Sequence, residues 1–135
     1  MNDQAQSFLP LEGENAHTLI LGTMPGQKSL EQQQYYAHKR NAFWPIMLGF
    51  LSGQPPSFDE AERMEYSDRC KLLLDSGYAV WDVLASCERQ GSLDSNIVKG
   101  SEIANDIAGL AQRHPELTLI ICNGRTAEKL FKRHI

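Results

Sequence analysis

Two short stretches of this chain hold the residue types that chemistry needs. The first, GTMPG at residues 22–26, closes an apolar run at the kind of position where open α/β sheets place their ligands. Gly22 and Gly26 permit close backbone approach, Pro25 stiffens the turn, and Thr23 and Met24 fill its middle. The second, YYAHKRNAFW at residues 35–44, sets two phenol rings, a basic triplet and an amide directly before an apolar segment. Rings that stack, next to cations that meet phosphates, are the combination proteins use to hold nucleobases. Each stretch also has a plainer reading. Residues 22–26 can be a simple strand-to-helix turn, Phe43 and Trp44 core, His38, Lys39 and Arg40 solvated charges, and Asn41 the cap of the next helix.

A third polar stretch follows Trp81: Asp82, then Ser86, Cys87, Glu88 and Arg89, then Ser92, Asp94 and Asn96. Asp82 is either a catalytic carboxylate or a cap for the following turn, and the cap is the reading adopted from sequence. Cys87 as a nucleophile needs a base such as His38, and no spacing supports that dyad. Residues 22–26 lack the Gly-Lys-Ser/Thr end of a phosphate loop and are not a dinucleotide fingerprint. His17, His38, His114 and His134 have no metal-ligand spacing, so the sequence predicts no metal site. Cys70, Cys87 and Cys122 are odd in number with no C-x-x-C pair and read as free thiols.

The elements that must position these groups follow from hydrophobic patterning. Residues 17–24, 78–84 and 117–122 read as short strands buried on both faces. Helices are expected over 43–51, 57–76, 101–114 and 125–134. Asp75, Ser76 and Gly77 stop the second. In the third, Ser101 is the candidate N-cap, Ile103, Ile107, Leu110 and Ala111 face inward, and Pro115 ends it. Strands alternating with helices predict an α/β fold with parallel strands and helices on both faces.

The chain has 135 residues, enough for one domain with a core, and 41% hydrophobic with 22% charged residues is a globular composition. A net charge of −4 argues against a binder that relies on overall positive charge, while leaving room for a local basic face. No apolar run is long enough to span a membrane and the N-terminus lacks a signal-peptide pattern, so the expected location is the cytoplasm.

Taken together, LILGTMPG, SL, QYYAHKRNAFWP and VWDVLASCERQGSLDSNI resemble the uracil-DNA glycosylase superfamily, specifically its hypoxanthine-DNA glycosylase branch, close to the mismatch-specific uracil glycosylases. The resemblance implies a three-layer α/β/α sandwich around a short parallel sheet. It implies hydrolysis of the N-glycosidic bond of a flipped deaminated base, hypoxanthine or uracil, in DNA, with no cofactor. It puts Gly22, Thr23, Met24, Pro25 and Gly26 in the base pocket. Thr23 and Met24 cannot do the work of an Asp or Asn there, so the water-holding role passes to Asn41. Phe43 is then the ring under the base with Tyr36 as a second wall, and His38, Lys39 and Arg40 contact phosphates.

The same resemblance implies a further strand and a loop with Ser, Pro and Asn after the last helix. With Ile135 as the last residue, the sequence-based expectation is one C-terminally truncated domain over 1–135 that lacks that strand and exposes a sheet edge. Two other readings stand beside a glycosylase: a nucleic-acid or nucleotide-binding module of the same fold without catalysis, and a small-molecule α/β hydrolase resting on fold analogy.

Overall fold

The computed structural model describes residues 3–135. In chain order the elements are β1 (Gln4–Gln6), β2 (Thr18–Gly22), α1 (Gln27–Gln32), α2 (Phe43–Ser52), α3 (Phe58–Arg63), α4 (Tyr66–Asp75), β3 (Tyr78–Asp82), β4 (Leu84–Glu88), β5 (Ile103–Ala104), α5 (Ile107–Arg113), β6 (Leu119–Cys122) and α6 (Arg125–His134). A single 3-10 turn, Asp94–Asn96, lies between β4 and β5.

β2 is the middle of a parallel sheet ordered β3-β2-β6, with Leu19 opposite Ala79 and Ile120. Alternate residues of a strand point to opposite faces, and both faces of β2 are buried. Leu19 and Leu21 join Ala79 and Trp81 in one core cluster, completed by Ile107, Leu110 and Leu130 of α5 and α6. Ile20 and Val80 point the other way, onto Phe43, Trp44, Leu48, Ala61 and Leu73 of α2, α3 and α4. The result is a three-layer α/β/α arrangement. β6 sits at one edge, and its Leu119 and Ile121 side chains are exposed.

Three expectations are corrected. The span 78–84 is interrupted: β3 stops at Asp82, and after Val83 the chain enters β4, which pairs antiparallel with β1 and β5 in a second small sheet. The helix expected over 57–76 is two helices, because Met64 is extended at ψ 137°. The break gives each half its own neighbour. Ala61 of α3 packs beside α2, while Tyr66 at the start of α4 turns its hydroxyl to accept the Tyr35 N–H at 2.9 Å and its ring to the Trp44 edge.

The helix expected from Ser101 begins only at Ile107, with Asp106 as its cap, Oδ1 accepting the Gly109 N–H at 3.0 Å. Upstream the chain is extended because Asn105 is pinned across the β3–β4 junction. Its N–H donates to Val83 O at 2.8 Å and its Nδ2 to Asp82 O at 2.8 Å. Ile103, expected to face inward, is therefore exposed. Ser101 caps no helix; its Oγ accepts from the Glu88 N–H at 2.9 Å.

Candidate functional site

Parallel strands deliver their carboxyl ends to one rim of the sheet, and here β2 ends at Gly22, β3 at Asp82 and β6 at Cys122. Above that rim opens a cavity of about 730 Å³. It takes its walls from the turn after β2, the segment before α2, and the residues that follow β3, β4 and β6. Of the residues singled out from sequence, Gly22, Thr23, Met24, Pro25, Gly26, Tyr36, His38, Asn41 and Phe43 all line it. Lys39 and Arg40 do not, and stand exposed beside its mouth.

Asn41 occupies a tight turn. Its N–H donates to His38 O at 2.9 Å, and its Oδ1 accepts the Phe43 N–H at 2.9 Å at the head of α2. The capping role weighed for it thus exists, although Ala42 is the residue at the helix boundary. Fixing Oδ1 in this way sets the amide plane. The amide is exposed to the cavity, with Nδ2 and the second lone pair of Oδ1 left to a ligand or water.

The two rings arrange themselves differently from expectation. Phe43 and Tyr36 stack on each other, centroids 3.9 Å apart and planes 18° apart. That separation leaves no slot between them, so they make one wall rather than two walls facing across a base. Tyr36 reaches this pose through a left-handed backbone, φ 55°, a conformation that non-glycine residues hold only where surroundings enforce it. Those surroundings include Asn123, which follows β6 and donates from Nδ2 to the Tyr36 hydroxyl at 3.3 Å. Burial, then the nearby Asp82, push the Tyr36 phenol well above its ordinary range, so it stays neutral.

The turn over residues 22–26 is braced from below by a buried arginine. Arg89 sends Nη2 to Pro25 O at 2.6 Å and Nε to Gly91 O at 2.8 Å. Ser92 Oγ accepts the Gln27 N–H at 2.8 Å, tying the segment after β4 to the start of α1. The Asp94 carboxyl accepts from the Thr23 hydroxyl. These contacts brace the turn, with Ser92 and Asp94 themselves lining the cavity.

Asp82 is the residue that the sequence reading placed least well. It caps no turn with its side chain; it is 4% exposed, lines the cavity, and its Oδ2 has no protein partner. Burial, then Asp94, push its carboxyl up to about 7, with Arg89 opposing. The folded state therefore holds a proton that the unfolded chain, with an ordinary value of 3.8, has already released. Stability from this group is full below the unfolded value and is lost as pH rises toward about 7. We expect urea unfolding to show wild type losing up to about 4 kcal/mol of stability over that window relative to Asp82→Asn, which lacks the slope. Parallel pH dependence in both proteins would contradict the assignment.

Of the groups that line or brace this cavity, Asp82, Arg89 and Ser92 belong to the polar stretch singled out after Trp81, while Asn123 was missed. A signal for Asn123 was available: it directly follows the carboxyl end of β6, so the rule that drew attention to residues 22–26 applies to it equally. Cys87 is fully buried, and burial pushes its thiol up, which disfavours a thiolate there.

Comparison with known proteins agrees with this geometry. Residues 10–134 match the family model described as the uracil DNA glycosylase superfamily. A hypoxanthine DNA glycosylase of Methanosarcina acetivorans is 39% identical over 122 residues, covering 90% of this chain and 72% of the relative. Its counterpart in Methanosarcina barkeri is 35% identical over 120 residues, covering 89% and 71%. Among solved structures, the solution NMR structure of a Methanosarcina acetivorans protein provisionally named a uracil DNA glycosylase superposes with a TM-score of 0.78 at 33% identity. That match covers 96% of this chain and 76% of the other.

Proposed function

The chain belongs to the uracil DNA glycosylase superfamily, and from that premise we propose that residues 1–135 work as one domain that excises hypoxanthine in preference to uracil, through a site centred on Asn41. The chain is a DNA glycosylase acting on deaminated bases. The observation that carries the residue assignment is that Asn41, the turn over residues 22–26 and the stacked Tyr36–Phe43 pair line one cavity at the carboxyl ends of the strands.

The target base must first leave the duplex stack, at a cost of a few kcal/mol. In the cavity it lies against the outer face of the Tyr36–Phe43 pair, which replaces part of the lost stacking. As the glycosidic bond lengthens, the sugar gains oxocarbenium-like positive charge and the base gains negative charge. Asn41 supplies orientation: its fixed amide holds a water toward the sugar carbon by accepting a hydrogen bond from it at Oδ1, and orientation without proton abstraction is enough for attack on so electrophilic a carbon. The base departs with the bonding electron pair as an anion, water adds its oxygen to the sugar, and the proton that the water loses ends on the departed base by way of solvent.

His38, Lys39 and Arg40, exposed beside the cavity mouth, meet the phosphates flanking the flipped nucleotide. We expect Lys39→Ala and Arg40→Ala each to weaken duplex binding across sequences and to reduce the slope of log affinity against log salt by about 1. Slopes identical to wild type by fluorescence anisotropy would remove these residues from the interface. No helix among the described residues is long and apolar enough to cross a membrane. We propose the cytoplasm as the chain's location, the expectation set by the sequence.

The experiment is single-turnover release of free base from duplexes with one deoxyinosine or one deoxyuridine. Faster release from deoxyinosine supports the proposal; faster release from deoxyuridine overturns the preference, and release from neither by folded protein overturns the function.

A further inference from the structure

Asp82 presents a feature that the mechanism above leaves unused. Its side chain lies over Gly22 at the cavity floor, where a Cβ on that glycine would stand 2.5 Å from Asp82 Oδ1 and 3.0 Å from the Tyr36 hydroxyl. The absence of a side chain at Gly22 keeps this carboxyl uncovered. Oδ2 is buried and has no protein partner, an arrangement that costs free energy unless something else completes it. The residue lines the cavity.

Resting on the glycosylase reading, we propose that the Asp82 carboxylate accepts the ring N–H that deamination adds to a base, and so reads the lesion itself. Deamination turns a bare ring nitrogen beside an amino group into an N–H beside a carbonyl, both in adenine to hypoxanthine and in cytosine to uracil. A carboxylate carries acceptors only. It bonds that N–H and repels the lone pair of the bare nitrogen in the parent base. A site built around a buried hydrogen-bonding group rejects an analogue lacking the partner far more strongly than a size filter does.

The groups facing Asp82 fit this role. Tyr36 and Tyr35 are held neutral by burial and add no negative charge beside the carboxyl. Asp94 pushes the carboxyl up, and Arg89 pulls it down from behind the turn. Asn105 takes only the Asp82 main-chain carbonyl and leaves the side chain free. With the carboxyl at about 7 in the empty cavity, discrimination has a pH sense. Above that value the carboxylate rejects a bare ring nitrogen; below it the neutral acid donates to that nitrogen and the rejection fades.

The test compares single-turnover release of hypoxanthine with release of unsubstituted purine, which lacks both the N1–H and the carbonyl, from otherwise identical duplexes. Intrinsic bond lability cancels when the ratio is compared among variants. Asp82→Ala is expected to lower the hypoxanthine-to-purine ratio about 10- to 100-fold. Asp82→Asn, whose amide accepts from the N–H through its carbonyl but also donates to a bare nitrogen through its NH2, is expected to lower the ratio less than Asp82→Ala does and to make it independent of pH, whereas the wild-type ratio rises from pH 6 to pH 8.

An unmoved ratio in Asp82→Ala, or an Asp82→Asn ratio that follows pH as wild type does, overturns the assignment while base release continues. Should Asp82→Ala fail to fold, the Asp82→Asn pH profile decides alone. Wild type that releases neither base overturns the glycosylase reading together with this one.

Discussion

Replacing Asn41 with alanine is expected to lower single-turnover base release about 100- to 1,000-fold, the usual size of losing one fixed polar group that acts on the transition state. The side chain does two jobs, and they separate. Its Oδ1 accepts the Phe43 N–H at 2.9 Å, so the alanine variant also loses a contact at the head of α2, worth about 1 kcal/mol. Asn41→Asp keeps that acceptor and most of the stability while exchanging the amide for a carboxylate. A melting curve for each variant therefore shows how much of the lost rate is structural. An alanine variant that folds and cleaves at the wild-type rate would remove Asn41 from the chemistry.

Gly22→Ala is expected to be as damaging for a different reason. The added Cβ would sit 2.5 Å from Asp82 Oδ1, closer than real Cβ atoms come to other atoms, so one of the two must move. Neither has room. Gly22 is held in β2 between β3 and β6, and Asp82 is at 4% exposure under Tyr36 and the segment of Arg89. We expect a loss of about 1–3 kcal/mol in stability, as for other overpacked sites, and a fall in base release beyond 100-fold as the methyl group occupies the cavity floor. The double variant Gly22→Ala with Asp82→Ala is expected to recover stability but not activity. Wild-type release by the single variant would mean that the base does not approach this floor.

Both predictions turn on residues with different legibility in the sequence. Gly22 and Asn41 sit in short stretches that residue type and position marked as candidates, while the water-holding role of Asn41 came only with the family resemblance. The parallel strands were legible for the same kind of reason: β2 and β3 are short, apolar and buried on both faces, a pattern with few alternatives. Helix α6 matched its expected span because its apolar stripe of Ala127, Leu130 and Phe131 has a single period.

Tertiary contacts decided the rest. Nothing local marks Met64 as a break; it is extended because α3 and α4 satisfy different neighbours. Nothing near Ser101 says that Asn105 will be claimed by carbonyls of Val83 and Asp82 more than twenty positions earlier. Asp82 looked like a cap because Asp near a turn usually is one. Its burial beside Gly22 arises only when β2 and β3 pair in register, with Gly22 opposite Asp82. The stacking of Tyr36 on Phe43 likewise depends on a left-handed residue that no spacing rule anticipates.

The most direct test of the central claim is mass spectrometry of the products when wild-type protein acts on a deoxyinosine duplex in water enriched in heavy oxygen. The account predicts free hypoxanthine and an intact strand whose abasic sugar carries the heavy oxygen at the former glycosidic carbon. An unchanged duplex in the presence of folded protein, or label found anywhere other than that carbon, would contradict it.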